Sequence, residues 1–234
     1  EEAMLQLRPY THPHFPIAVA ASQSPSGVVL AGKHGVGLLS LSSIANDGSV
    51  TNKLNEFWKL GEESASENGK TMDRSDWRLT LPFVHIAETR KDAIEQARIG
   101  MGHLQRDYFE NTLGFTPANE GRGPMEKIID SQVDAGEWCV GTPDDMIAVI
   151  TRLGEESGGF GGILVMEGEY TNREDTLRSY ELIARYVMPH FQGSLANLQA
   201  SEKWSSGKRK ELWDMNVKSL KKAKQDFTKE KTSG

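Results

Sequence analysis

The sequence predicts an α/β protein of about four βα units, arranged either as a small open parallel sheet or as half of a (βα)8 barrel. Three observations lead there. Short continuous apolar runs at residues 17–21, 36–41, 79–87 and 163–166 have the length of buried strands. Each is followed by sequence of helical length or period. An eight-unit barrel typically needs about 250 residues, whereas this chain of 234 residues holds four units, a long excursion and a tail. Parallel strands joined by helices cross over right-handed, so the helices cover the sheet. A half-barrel leaves two sheet edges and one face open, which invites pairing with another chain or a partner half.

The organising stretch is residues 15–43, FPIAVAASQSPSGVVLAGKHGVGLLSLSS. The strand at 17–21 runs into a small polar cluster made of Ser22, Gln23, Ser24, Pro25, Ser26 and Gly27. A helix over 28–33 is closed by His34 and Gly35, and the second strand follows at 36–41. Backbone N–H groups and the positive end of the helix dipole converge on that serine-rich turn, so it suits a phosphate. The plain alternative is that Ser24 or Ser26 only caps the helix. Neither a Walker loop nor GxGxxG is present, so the turn does not name its ligand.

Composition excludes several classes. The hydrophobic share is 37% and the mean hydropathy is −0.51, as expected of a soluble globular protein. No apolar run reaches the length of a membrane span, and the first ten residues carry no apolar signal region. A net charge of −6 argues against a general nucleic-acid binder. Cys139 is the only cysteine, so no intrachain disulfide forms and a reducing cytoplasmic setting is expected. Catalysis by Cys139 is not expected, because no activating partner is visible near it. His12 and His14 stand two apart without a third ligand at a recognisable spacing, so a loop leading into the first strand is expected there, not a metal site.

The remaining elements follow in order. Leu54, Phe57 and Trp58 mark an amphipathic helix that fades over 64–70, and residues 73–77 are read as a connector. The third strand, 79–87, contains Pro82, which predicts a bulge because proline cannot donate to a ladder. His85 on that strand is read as a core or hydrogen-bonded histidine. Thr89 and Asp92 form a capping signal, and Ala93, Ala97, Met101, Leu104 and Tyr108 trace the buried face of a long helix. Residues 114–141 are a glycine- and proline-rich excursion of the kind that forms lids or partner contacts. Thr142, Pro143, Asp144 and Asp145 start the next helix, which ends at 158–162 before the fourth strand. Glu167 and Glu169 stand at that strand's C-terminal end, where α/β enzymes place their sites, and a solvated rim is expected of them. Thr171 and Glu174 predict a capping box, and Leu177, Tyr180, Ala184, Val187, Met188 and Phe191 the buried face of the closing helix. A domain of residues 1–192 and a polar helical extension of 193–234 are expected.

Three segments carry a family resemblance: RPYTHPHFPIAVAASQSPSGVVLAGKHGVGLLS, DWRLTLPFVHIAETRKDA, and VGTPDDMIAVITRLGEESGGFGGILVMEGEY followed by TLRSYELIARYVMPHF. Together they resemble the fifth to eighth strands of the luciferase-like flavin-dependent monooxygenases, closest to the limonene-monooxygenase-like branch, over residues 8–192. The resemblance implies the C-terminal half of a (βα)8 TIM barrel, with reduced FMN supplied by a separate flavin reductase and used with O2 to oxygenate a small apolar substrate. It places Ala21, Ser22, Gln23 and Ser24 against the flavin phosphate or ribityl oxygens, with serine at position 22 where relatives often have glycine. The family's first four strands, with much of the flavin-ring pocket and the usual catalytic histidine, have no counterpart in this sequence, so no catalytic residue is assigned. A deazaflavin-dependent oxidoreductase of the same superfamily and a non-catalytic half-barrel assembly subunit are the alternatives. Apolar residues on the open face, such as Val19, Leu39 and Ile163 or their neighbours, predict a dimer or a poorly soluble monomer, with a homo-oligomer or a missing N-terminal half as the expected partner.

Overall fold

The computed structural model describes residues 10–11, 15–21, 24–42, 54–114, 124, 127–134, 136–194 and 196–232. The first elements are β1 (Ala18–Ala21), α1 (Pro25–His34), β2 (Gly37–Leu41), α2 (Leu54–Glu67) and β3 (Trp77–Leu81). A bend at Pro82 and Phe83 leads into β4 (Val84–Ile86) and α3 (Arg90–His103), which continues as a π-helical segment (Leu104–Glu110). Then come α4 (Ile128–Asp134), β5 (Cys139–Gly141), α5 (Pro143–Ser157), β6 (Gly162–Val165), α6 (Arg173–Leu182) and a second π-helical segment (Ile183–Val187). All of these lie in one compact unit, Glu1–Val187. The second unit, Met188–Gly234, consists of α7 (Met188–Gln192), α8 (Ala196–Gly207) and α9 (Arg209–Thr232). In α9, Leu212, Trp213, Met215 and Leu220 are exposed.

The main sheet has the order β1-β2-β3-β6, and every pairing is parallel. Each new strand is added on the same side, without the reversal that defines a doubly wound sheet. Right-handed crossovers then place the helices on one face only. That is half of a barrel.

Register fixes which residues share a face. Ala20, Leu39 and Arg78 are level across β1, β2 and β3, as are Leu41, Thr80 and Leu164 across β2, β3 and β6. This face carries no helix: Ala18 and Ala20 are exposed, Leu164 is 40% exposed, and Leu39, Arg78 and Thr80 are half-buried. The opposite face presents Leu38, Trp77, Leu79 and Leu81 to α1, α2 and α5, all buried with Val28, Phe57, Trp58, Met146 and Ile150. Val19 and Ile163 pack on this helical side, so the expectation that they line the open face is corrected. The two-residue period of a strand sends Ala18, Ala20 and Leu164 there instead, with Leu39 as expected.

The expected third strand is two strands. Proline breaks the ladder, and beyond the bend the chain leaves β6 and β2 to pair with β5. Trp77, read as connector, is the first residue of β3, after a 3-10 turn at Arg74–Asp76. The β4–β5 pair is buried on both sides. Val84, Ile86 and Cys139 face the main core, while Val140 faces a second core with Phe83, Ala93, Ala97, Met101, Ile128 and Trp138. Phe83 and Trp138 stack there with ring centroids 4.1 Å apart.

Two expectations about α6 are corrected. Its cap is Asn172, whose side chain accepts from the Asp175 N–H at 2.9 Å, one residue later than the expected Thr171–Glu174 box. Its buried face is Ser179 and Leu182, continuing to Val187, whereas Leu177 and Tyr180 are exposed, as are Ala184, Met188 and Phe191. Ser179 is inside because its hydroxyl accepts from the Ile86 N–H at 2.8 Å, satisfying a backbone donor that β5 leaves free.

Candidate functional site

The candidate site is built at the C-terminal ends of the strands, where the turn after β1 meets the start of α1. Ala21 ends β1 and is buried. Ser24 is the N-cap of α1 in an extended conformation, and its Oγ accepts from the Ser26 N–H at 3.3 Å. The Ser24 and Ser26 hydroxyls lie 2.8 Å apart. Ser22 and Gln23 lie outside the described residues.

Two features make this turn unlike the other helix starts. Among the described α-helices of this unit, α1 alone has no acid in its first turn. At α5, by contrast, Thr142 and Asp145 form a reciprocal capping box that fills the helix start with a carboxylate. The start of α1 therefore meets no carboxylate from its own first turn. Second, a Cβ on Gly27 would sit 2.6 Å from Ala21 Cβ and 3.1 Å from Ala20 O. Glycine at 27 lets the first turn of α1 press onto the end of β1. Ser26 and Gly27 belong to the serine-rich turn read from the sequence, but not to the residues that the resemblance places against the flavin. The signal for Gly27 was a glycine in a helix's first turn, immediately beyond a strand end.

The other strand ends form a wall. Tyr170 OH donates to Pro82 O at 2.6 Å, tying the loop after β6 to the bend between β3 and β4. Burial, aided by the nearby Tyr180, pushes the Tyr170 hydroxyl up to about 12, so it remains a donor. A Cβ at Gly100 would fall 2.3 Å from Tyr170 O, so α3 touches this loop backbone to backbone. Gln96, Ile99, Glu167, Glu169, Leu177 and Tyr180 help to line an open groove of about 960 Å³ along that contact. Glu167 and Glu169 thus sit at a groove rim, with no ion pair between them and a base among the described residues.

His85 is 2% exposed, with Nε2 2.8 Å from Gln96 Oε1. Since that oxygen accepts, Nε2 carries the proton. Burial holds its pKa below the ordinary value, against the Gln96 hydrogen bond and the Asp175 charge, which pull upward. It is a neutral core histidine. Cys139 is buried on β5, and its thiol is pushed up to about 12 by burial and by Asp145, with Arg152 opposing. It supplies no thiolate. His12 and His14 lie outside the described residues.

No protein-family model matches the chain. Its sequence is 42% identical over 195 residues to limonene 1,2-monooxygenase of Rhodococcus erythropolis, covering 83% of this chain and 48% of that protein. The chain is thus a homologue of a named monooxygenase. A second relative, 4-hydroxyprotoasukamycin monooxygenase of Streptomyces nodosus subsp. asukaensis, is 37% identical over 203 residues, covering 87% of this chain and 54% of that protein. The chain therefore spans about half the length of the curated relatives it matches. Among solved structures, the oxygenating constituent of 3,6-diketocamphane monooxygenase from Pseudomonas putida, in complex with FMN, superposes with a TM-score of 0.56 at 25% identity. That match covers 74% of this chain and 48% of the other. Monooxygenase RslO1 of Streptomyces bottropensis shares the fold, with a TM-score of 0.57 over 78% of this chain and 50% of its own. The half-coverage of these proteins agrees with four strands and one bare face.

Proposed function

We propose that this chain is the C-terminal half of a flavin-dependent monooxygenase and holds the phosphate end of FMN at the turn between β1 and α1. The observation that carries the reading is the acid-free start of α1, set against the strand end by Gly27, within a sequence 42% identical to a monooxygenase. The described residues that fit a flavin phosphate are a helix N-terminus without an acid, the hydroxyls of Ser24 and Ser26, and the strand end at Ala21. When bound, reduced FMN supplies the activation of O2 for transfer to a small apolar substrate. A separate flavin reductase working in the cytoplasm delivers it reduced.

The chain's own part is binding, orientation and exclusion of water. First-turn amides and serine hydroxyls neutralise the phosphate and set the depth of the cofactor. The wall of α3 and the Tyr170 loop closes one side of the strand ends. The uncovered sheet face marks where the rest of a barrel would close.

The test is reconstitution. The full chain is mixed with the remaining half of the Rhodococcus limonene relative, and FMN binding and limonene oxygenation are followed with a flavin reductase. Flavin binding by the mixture, and oxygenation that requires both halves, is expected. A chain that assembles with that half but binds no flavin would remove the proposal.

A further inference from the structure

We propose that α9 lies along an anionic lipid surface, with its apolar stripe at the bilayer boundary and its basic residues on the headgroup phosphates. The inference rests on the helical unit alone and is independent of flavin.

Spacings of three, four and seven residues put Arg209, Leu212, Trp213, Asn216, Leu220 and Phe227 on one face of α9. Leu212, Trp213, Leu220 and Phe227 are exposed there. The same face opens at its start into a notch of about 850 Å³ at the elbow between α8 and α9, where Ser205 and Ser206 meet Arg209, Lys210, Trp213 and Asn216. Trp204 in α8 and Trp213 in α9 are 60% and 66% exposed, whereas Trp58, Trp77 and Trp138 are buried. Tryptophans that stand out of a fold beside cations suit a headgroup interface, where the ring sits in an apolar layer and its N–H stays wet. A helix with Trp, Phe and Leu on one side and lysines on the other has the make-up of one that lies in the plane of a membrane surface.

Charge selects the surface. Residues 188–234 hold ten lysines and arginines against five acids, in a chain whose net charge is −6. Attraction to a negative surface therefore belongs to these helices and not to the rest of the chain. Lys210, Lys221 and Lys224 run along one edge of the stripe, where lysine stems reach apolar depth while the ammonium groups stay with the phosphates. Lys208 pairs with Glu211 at 2.6 Å, but among the described residues Arg209 and Lys210 at the notch make no ion pair. A second copy of α9 covers the stripe poorly. Trp213, Leu220 and Phe227 recur every seven residues, but the positions that would complete a coiled-coil seam hold Asn216 and Ala223. With eight lysines and arginines against four acids, two such helices repel, whereas an anionic bilayer attracts each of them.

The experiment mixes the full chain, without flavin, with vesicles of phosphatidylcholine, either alone or with one-third phosphatidylglycerol, and reads binding by sedimentation. Binding to the anionic vesicles should be at least about 10-fold tighter than to the neutral ones and should weaken as salt is raised. Leu220→Glu should abolish that binding with the melting temperature unchanged, because the position is exposed. Lys221→Glu combined with Lys224→Glu should remove the preference for anionic vesicles. The blue shift of tryptophan emission on binding should shrink in Trp213→Phe while the binding itself persists. Circular dichroism confirms that each variant is folded; should Leu220→Glu lose helix, Leu220→Ser takes its place. No binding to the anionic vesicles, equal binding to both compositions, or binding indifferent to Leu220→Glu would overturn the inference. Self-association of the chain that Leu220→Glu abolishes would overturn it too, because a second copy would then cover the stripe.

Discussion

Removing the Arg74 side chain is the perturbation that best tests how this half-barrel is held together. Arg74 lies in the 3-10 turn before β3, and its guanidinium donates from Nη1 to Ser157 O at 2.5 Å and to Gly159 O at 3.3 Å. Nη2 donates to Asn55 Oδ1 at 3.0 Å. One side chain therefore links the start of α2, the end of α5 and the approach to β3. The same group lies 5.1 Å from the ring centroid of Trp58 and 5.9 Å from that of Trp77, two rings that stack 4.9 Å apart in the main core. Hydrogen bonds involving a charged group are worth about 1.5–3 kcal/mol each, and a cation over an aromatic face about 0.5–1 kcal/mol when exposed. These terms do not add in full, since the side chain is half-buried and water replaces part of what is lost. Arg74→Ala should cost about 3–4 kcal/mol in urea denaturation, or roughly 6–16 °C in Tm for a chain of this size. Arg74→Lys keeps the charge but not the fork, and should recover less than half of the loss. A cost below about 1 kcal/mol for Arg74→Ala would refute the view that this clamp ties the helices to the N-terminal end of the sheet.

Two further predictions follow from the buried groups. His85 has a folded-state pKa below its unfolded value, so the stability tied to its neutral form is fully present above about pH 6.5 and is lost as pH falls through that unfolded value toward the lower folded one. Denaturation midpoints should therefore fall between about pH 7 and pH 5 in the parent, and the slope should flatten in His85→Gln; an identical slope in both would contradict the assignment of a neutral core histidine. Cys139, buried with its thiol pushed up to about 12, should resist alkylation by iodoacetamide at pH 8 in the folded chain and react only as urea unfolds it. Rapid labelling of the native chain would show that β5 is open.

Much of the fold is legible in the sequence because buried parallel strands leave a plain mark. The runs at β1, β2 and β6 are short, apolar and bounded by glycine or serine, and Thr142-Pro143-Asp144-Asp145 announces α5 through its cap chemistry. What stays hidden is set by tertiary partners. A proline at position 82 predicts a break, but not that the chain changes neighbours across it and builds a two-stranded ladder with Cys139–Gly141. The face of α6 is misread because a polar residue, Ser179, points inward to reach Ile86 N, while Leu177 and Tyr180 line an open groove. The π-helical segment at Ile183–Val187 then shifts the phase of the helix, which a 3.6-residue period does not register. At the candidate site, serines mark the turn, but a serine cap and an anion cradle look alike in sequence. The acid-free first turn and the approach of Gly27 to Ala21, the latter a distance that only the folded chain displays, support the proposed cradle, and flavin titration decides between the two.

The central claim is that this turn holds the flavin phosphate, and FMN titration of the reconstituted two-half protein tests it most directly. Ser24→Ala removes one charge-assisted hydrogen bond worth about 1.5–3 kcal/mol, so the FMN Kd should rise roughly 10- to 150-fold. Stability should fall at the same time by about 1 kcal/mol through loss of the cap. An unchanged Kd together with that loss of stability would show that Ser24 does no more than cap α1, and would contradict the account.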